Sequence, residues 1–253
     1  RITYAKKLFS LSGGINYFNE GQNGEKSYIF PNLELKYKFS KYHLLAVGLK
    51  GEVQFNSFSS LLSENIYLTS NQSSFANKVI PEQIFALVKG GSPNNPSSVS
   101  SFTYVVQVKY SKINNLPVFI NGLRNSQRDP LGFFAEFLGK DKPVENFQID
   151  ANLYGKFNVE WSNTLYVKND NYFGEIGYSN IILKPSLYLS DKISYNGEKW
   201  DFDLSLAYTS GLYGFQTKEN RMVKMDDFTV INLTGSYQFN ESFRAYSNLN
   251  NLL

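Results

Sequence analysis

The chain has no cysteine and a single histidine, His43, among its 253 residues. Without thiols it forms neither a disulfide framework nor a cysteine-based metal site. One histidine also argues against a Ser–His or Asp–His hydrolase and against a metal centre, because both need several such groups within reach of one another. His43 follows the short polar segment Ser40–Tyr42, and we interpret it as a residue of an interfacial turn. We therefore predict that the chain is not an enzyme and has no catalytic residue, metal or cofactor.

Long apolar runs are also missing from the sequence. No stretch approaches the roughly 20 apolar residues of a membrane-spanning helix, so a helical membrane protein is excluded. The net charge of +3 is too small for the basic surface of a nucleic-acid-binding protein. Aromatic residues, by contrast, are abundant, with 18 Tyr and 21 Phe. They favour strands and collect at membrane–water interfaces.

Apolar and polar residues alternate with a period of two along most of the chain, which is the pattern of β-strands with two different faces. In 29–39, for example, Leu33 and Leu35 alternate with Glu34 and Lys36. This run is long enough for the roughly 9–11 residues of a tilted membrane-spanning strand. The same alternation recurs in 8–18, 45–56, 102–111, 147–157, 200–208, 231–239 and 243–250.

The connections between these runs alternate in length. Short turns rich in Asn, Ser and Gly are predicted at 40–42, 114–115, 158–160, 196–197 and 240–242. Long loops are predicted at 19–27, 57–101, 124–145, 170–179 and 212–226, and part of the largest, 76–89, is left open between a short helix and a further hairpin. Short periplasmic turns and long outer loops are typical of outer-membrane barrels. Aromatic residues flank three of the short turns and predict an aromatic belt at one membrane face.

These patterns predict an all-β fold, an antiparallel transmembrane β-barrel of the outer-membrane type with about 11–14 visible strands. Lipid cannot satisfy backbone N–H and C=O groups, so a spanning sheet must close on itself. We expect residues 1–253 to form a single barrel domain in a bacterial outer membrane. The last run heads toward the outer face and ends at Leu253 without the terminal aromatic residue usual in barrels. We therefore expect at least one strand after it.

The polar faces of the predicted strands would line the barrel interior, where charges of both signs occur in similar number. A mixed set of this kind favours a ladder of cross-strand salt bridges over an ion-selective filter, which would need one dominant sign. The paired carboxylates Asp226 and Asp227 are interpreted as solvated loop charge, with a Ca²⁺ site as the alternative. The candidate ligand-binding residues of the interior are Glu34, Lys36, Lys50, Glu52, Lys109, Asp150, Lys156, Asp201, Asp203 and Arg244.

The stretch from Asp227 to Leu253 consists of a long hairpin around 240–242 followed by an Asn-Leu turn. In this form it resembles the penultimate hairpin of TonB-dependent receptors. The resemblance is specific over about 180–253 and diffuse over 28–110. It implies active uptake of a scarce solute, driven by an inner-membrane energy-coupling protein. The plug domain and energy-coupling box of that family precede the barrel, and nothing in residues 1–253 resembles either.

Two functions stay open on the sequence alone. The first is passive or energy-coupled uptake of a small solute across the outer membrane, which the resemblance and the polar interior favour. The second is a non-transporting structural or accessory subunit of a larger outer-membrane complex, which the absence of a plug and the balanced wall charges favour. The expected partners are outer-membrane lipid and either the energy-coupling protein or other subunits of such a complex, with no nucleic acid.

Overall fold

The computed structural model consists almost entirely of antiparallel β-structure. It describes residues 2–20, 26–64, 68, 75–92, 100–121, 133–173, 184–216 and 221–252. Among these residues, no helix is long and apolar enough to cross a membrane. The elements in chain order are β1 Ile2–Lys6, β2 Phe9–Glu20, β3 Lys26–Lys38, β4 Leu44–Gln54, α1 Phe58–Glu64, β5 Lys78–Gly91, β6 Ser101–Asn114, β7 Leu116–Asn121, β8 Phe133–Leu138, β9 Val144–Lys156, β10 Trp161–Phe173, β11 Leu187–Asn196, β12 Trp200–Ser210, β13 Tyr213–Gln216, β14 Arg221–Lys224, β15 Phe228–Asn240 and β16 Phe243–Leu249.

Twelve of the strands form one sheet in the order β1-β2-β3-β4-β5-β6-β9-β10-β11-β12-β15-β16. Every neighbouring pair is antiparallel. The order skips β7–β8 and β13–β14 because each of these pairs forms a separate two-stranded hairpin. The predicted all-β antiparallel architecture is therefore confirmed.

The strand register separates an apolar outer face from a polar inner face. Since side chains alternate along a strand, directly paired residues share a face across the whole sheet. One such row on the outer face consists of Leu11, Leu35, Val47, Ala86, Val108 and Ile149. A slip of one residue would place the lysines of the inner face in lipid, and for a lysine at the membrane midplane this costs about 2–4 kcal/mol.

Most connections alternate in length between the two ends of the sheet, as the sequence predicts, but the β5–β6 connection at the short-turn end is nine residues long. The turns after β3, β9, β11 and β15 are short and lie at one end. The connections after β4, β6, β10 and β12 are long and lie at the other, the loop end. Aromatic rings cluster at the short-turn end of the outer face, with centroid distances of 4.6 Å for Phe9–Tyr37, 4.8 Å for Trp161–Tyr195 and 4.4 Å for Trp200–Tyr237. We call these rings and their ring neighbours the aromatic girdle, and the predicted belt is confirmed.

Two sequence predictions about the connections are wrong. The predicted loop 57–101 contains β5, a full member of the sheet, so 76–89 is neither a helix nor a hairpin. A bulge around Pro81 shifts the register of β5 against both neighbours, and the change of phase hides its alternation. The predicted short turn at Asn114–Asn115 instead leads into the β7–β8 hairpin, with Asn115 at a positive φ of 54°.

At the loop end, α1 and the β7–β8 hairpin form a small hydrophobic core of their own. Ser57 begins the helix, since its hydroxyl accepts a hydrogen bond from the Ser60 amide at 3.1 Å, as an N-cap does. Leu61 is fully buried and packs with Leu68, Phe119 and Ala135. We call this cluster the loop core. A second cluster with Ile80, Ile113, Leu116, Val118 and Val144 continues it toward the sheet.

Candidate functional site

All ten sequence-predicted interior residues lie on the inner face of the sheet, and most of them are ion-paired. The predicted cross-strand ladder is found only in part, because two of the pairs below, Lys36–Glu34 and Lys50–Glu52, each lie within one strand. The Nζ–carboxylate distances are 2.7 Å for Lys36–Glu34, 2.9 Å for Lys50–Glu52 and 3.0 Å for Lys109–Asp150. Asp203 pairs with Lys192 at 3.1 Å, and Asp201 pairs with Arg244. Lys156 has no ion pair among the described residues.

A cavity of about 520 Å³ lies on the inner face at the loop end. The strands β4, β5, β6, β9, β10 and β11 form its wall, and α1 and the residues before β11 border it. It contains three of the predicted residues, Lys50, Glu52 and Lys109, whereas the other seven lie elsewhere on the inner face. Its remaining charged or hydrogen-bonding side chains are Gln54, Glu64, Lys78, Gln83, Gln107, Ser111, Asn146, Gln148, Lys168, Asp170, Tyr172, Lys184 and Tyr188.

Four of the five lysines around the cavity are neutralised by a carboxylate. Besides the pairs of Lys50 and Lys109, Lys168 lies 3.1 Å from Asp170. Lys184 lies 3.2 Å from Glu64 and joins the β10–β11 connection to the end of α1. These pairs fix the shape of the polar wall, but they leave no net charge for a solute.

Asp170 shows how completely such a pair is satisfied. Its side chain is only 9% exposed. Besides Lys168, it accepts hydrogen bonds from the Asn146 amide at 2.5 Å and from the Tyr172 hydroxyl at 3.2 Å. Asp150 is held in a similar way by Lys109, Gln148 and Tyr166. Carboxylates with this many donors are not available to a solute.

Lys78 is the exception in the cavity. It is partly buried at the start of β5, and its ammonium group makes no hydrogen bond or ion pair within the described residues. Lys184, Glu64, Asp170 and Glu52 all act on it electrostatically, yet each of those charges has a partner of its own. The cavity thus carries one excess positive charge, and this charge is on Lys78.

The sequence did not single out Lys78, Lys168, Lys184, Glu64 or Asp170 as interior residues. Lys78 precedes the Pro81 bulge, so its side of the sheet cannot be read from the alternation of the rest of β5. Glu64 and Lys184 lie in connections and reach the cavity only through the packing of the loop core. Lys168 and Asp170 were missed because β10 has Asn163, Asn169 and Asn171 on its outer face, which obscures the alternation.

The two remaining sequence candidates, His43 and the Asp226–Asp227 pair, lie outside the cavity. His43 lies in the aromatic girdle, with its ring centroid 5.5 Å from Phe39 and 6.0 Å from Tyr104, as an interfacial-turn residue would. Asp227 accepts a hydrogen bond from the Tyr208 hydroxyl at 2.9 Å. The described residues contain no group of three or more His, Cys, Asp or Glu side chains that could hold a metal ion.

No family profile and no curated protein matches the chain, but solved structures do. The pyoverdine outer-membrane receptor FpvA of Pseudomonas aeruginosa, bound to pyoverdine, is 13% identical, with a TM-score of 0.64 over 98% of this chain. The ferric-catecholate import receptor Fiu of E. coli K12 is 11% identical, with a TM-score of 0.62 over 98%. The copper transporter OprC is 13% identical, with a TM-score of 0.57 over 99%.

This chain spans 36%, 38% and 40% of the lengths of those three structures, respectively. At identities this low, the structural similarity establishes the fold alone, which is that of an outer-membrane receptor barrel. The predicted fold class is therefore confirmed. The similar structures are receptors and a transporter, in agreement with the prediction that the chain is not an enzyme.

Proposed function

We infer that this chain, which has the barrel fold of the TonB-dependent receptors, forms part of the wall of an uptake barrel in a bacterial outer membrane. We further infer that its inner-face cavity binds an anionic group of the solute. The observation that carries this proposal is the unpaired ammonium group of Lys78 in a cavity whose other lysines are all neutralised.

The ammonium group of Lys78 is costly to bury because no carboxylate pairs with it. A partly buried ammonium group without a direct partner loses hydration and recovers only the longer-range attraction of carboxylates that are already paired elsewhere. A carboxylate or phosphate that enters the cavity restores that balance through charge-assisted hydrogen bonds. The volume of about 520 Å³ lies within the roughly 300–1,000 Å³ typical of small-molecule sites. Gln54, Gln107 and Tyr188 add neutral hydrogen-bonding groups that would orient the bound solute.

Lys78 also lies where a solute would arrive first. The cavity is at the loop end, bordered by α1 and by the Lys184–Glu64 pair. In an outer-membrane barrel the long loops face the outside, so the solute meets this cavity before the rest of the interior. Energy coupling by an inner-membrane protein is the further element that the resemblance implies, and it is proposed here on that basis only.

The test compares Lys78→Gln with a matched control, Lys112→Gln, in the whole protein. Lys112 lies on the outer face near the loop end and pairs with Glu82 at 2.9 Å, so its replacement also removes one positive charge. Binding of a panel of anionic, neutral and cationic solutes is measured on purified protein. We expect Lys78→Gln to weaken binding of an anionic solute by at least about tenfold, the effect of losing a charged hydrogen-bond partner, while the control does not. Equal affinities in the two variants would contradict the proposal.

The accessory-subunit function is the second candidate, and the ion-paired wall supports it. The strands joined by Lys109–Asp150, Asp201–Arg244 and Asp203–Lys192 need no solute to satisfy these charges. This function predicts that the purified barrel neither binds a solute of any charge nor conducts ions in planar bilayers. Solute binding that depends on Lys78 would contradict it.

A further inference from the structure

The outer face of the sheet contains one charge far from a strand end. Among the charged residues that the described strands place on this face, Lys6 ends β1 and Glu145 begins β9, while Glu82 and Lys112 neutralise each other near the loop end. Asp191 instead lies in the middle of β11 (Leu187–Asn196). A charge on the lipid-facing side of a barrel opposes insertion, so its presence requires a reason.

The register places Asp191 on the outer face. It is directly paired with Leu165 of β10 and with Leu206 of β12. The next residues of β11 on the same face are Leu189 and Ile193. A carboxylate in this position is surrounded by aliphatic side chains on all four sides.

One neighbouring side chain contributes a hydrogen bond. Asn163, on the same face of β10, donates its side-chain amide to the Asp191 carboxylate at 2.6 Å. Within the described residues Asp191 has no other partner. Asn163 therefore orients the carboxylate without neutralising it, and acceptor positions on both of its oxygens stay available.

The depth of Asp191 follows from the aromatic girdle. Tyr195, whose ring contacts Trp161 at a tilt of 48°, lies four residues further along β11 at the short-turn end. At about 3.3 Å per residue and a strand tilt of about 40°, Asp191 lies roughly 10 Å from the girdle, within an apolar band about 25 Å tall. Lipid headgroups stay at the edges of that band. At this depth Asp191 is neutralised either by a proton or by a cation from a protein.

We propose that Asn163 and Asp191 form the contact point for a second integral outer-membrane protein, different from this chain, whose spanning segment presents a Lys or Arg side chain to the Asp191 carboxylate. Charge complementarity in a low-dielectric surrounding selects that chemistry. The described residues of a second copy do not supply it, because their outer face has no Lys or Arg at this depth and a twofold contact would oppose two carboxylates. The aliphatic residues around the pair provide the apolar rim of the contact.

The experiment uses the protein in the outer membrane of its own cells. A photo-crosslinking amino acid is placed at Ile193, beside Asp191, and at Val47 of β4 as an outer-face control. Cross-linked products are identified by mass spectrometry in the unchanged protein and in Asp191→Asn and Asp191→Leu. Both variants preserve or increase the apolar character of the face, so folding is retained, and unheated gel mobility of the barrel verifies this.

We expect the Ile193 probe to capture one defined membrane protein with a Lys or Arg in its cross-linked segment, and the Val47 probe not to capture it. Asp191→Asn and Asp191→Leu should reduce this product by at least about tenfold, since truncating one partner of a buried charge pair mainly speeds dissociation. A reversal of the two charges tests the pairing directly. Asp191→Arg should abolish the product, and an Asp in place of the partner's basic residue should restore it.

Three results would overturn the proposal. The first is a product whose amount does not depend on Asp191. The second is a cross-link to another copy of this chain or to a segment without a basic residue. The third is the absence of any protein product together with a more heat-stable Asp191→Leu barrel, which would mean that the carboxylate faces lipid alone.

Discussion

At the scale of single residues, Gly51 of β4 lies in one of the most closely packed places of the sheet. Phe30, Val53 and Val79 form a small buried cluster where β4 ends and β5 begins, and Gly51 lies directly beside it. A Cβ atom at position 51 would be 2.5 Å from the Phe30 Cβ and 2.7 Å from the Pro81 carbonyl oxygen. Position 51 therefore has no room for a side chain, because the neighbouring atoms include backbone that cannot move aside.

Gly51→Ala is expected to destabilise the barrel by about 1–3 kcal/mol, the usual cost of overpacking. Gly155→Ala is the matched control, since the nearest atom to a Cβ there is 3.8 Å away on the Phe157 ring. Urea titration of the two variants folded into lipid vesicles measures the difference. An equal midpoint for both variants would show that the Phe30 cluster accommodates the added methyl group without loss of stability.

Asp227, in the connection before β15, gives a prediction about pH. Its pKa lies below the ordinary range, chiefly because the Tyr208 hydroxyl donates a hydrogen bond to the carboxylate, with the Gly211 amide and Lys224 adding to the effect. A lowered pKa in the folded state means that the contact is fully present above the ordinary Asp value of about 3.9. It is lost as the pH falls from there through the lowered value.

Hydrogen exchange of the segment 211–227, corrected for intrinsic rates, should therefore accelerate as the pH falls below about 3.9. Asp227→Asn should show the faster exchange already at neutral pH, while the neighbouring Asp226→Asn should follow the unchanged protein. A pH profile that is the same in Asp227→Asn and the unchanged protein would exclude this carboxylate as the cause.

At the scale of elements, the wall strands were predictable and the loop core was not. The alternation from 29 to 39 and from 147 to 157 located β3 and β9 because each strand faces lipid on one side and polar surroundings on the other. The loop core has no such repeating environment. Leu61, Phe119 and Ala135 come from distant parts of the chain, and only their packing makes them a unit. The same holds for the cavity, because Lys78 becomes an interior residue through a bulge that no local pattern reveals.

Leu61→Ala should destabilise the loop core by about 2–5 kcal/mol, since the side chain is fully buried and leaves a cavity. The strand ladder does not depend on it. We therefore expect rapid protease cleavage near α1 with unchanged gel mobility of the folded barrel. Phe55→Ala is the control, because Phe55 is exposed and lies just before the helix. Slow cleavage in both variants would show that α1 is held by other contacts.

At the scale of the whole molecule, the two faces of the sheet dictate how the chain meets a bilayer. Composition and alternation were sufficient to predict an antiparallel barrel, because lipid imposes that pattern on every spanning strand. They did not reveal Asp191, since a single departure within a regular strand is visible only when the register of its neighbours is known. The same register identifies pairs of adjacent positions that face opposite surroundings.

Val106 and Gln107 in β6 are such a pair. Val106 is on the outer face opposite Val88 and Ala151, whereas Gln107 is on the inner face opposite Asp150. Val106→Lys should lower the free energy of unfolding in vesicles by about 2–4 kcal/mol, and Gln107→Lys should change it little. Denaturant titration in vesicles measures both values, and equal losses would mean that the two faces are assigned wrongly.

The Lys184–Glu64 pair joins residues that are 120 positions apart, whereas most strand pairs of the sheet join neighbours along the chain. Hairpins close short loops and form early, while contacts between distant segments wait for the rest of the chain. The wall should therefore assemble before its outer opening narrows. Newly made protein would therefore pass through a stage in which the twelve strands are paired while α1 and the β10–β11 connection have not yet met.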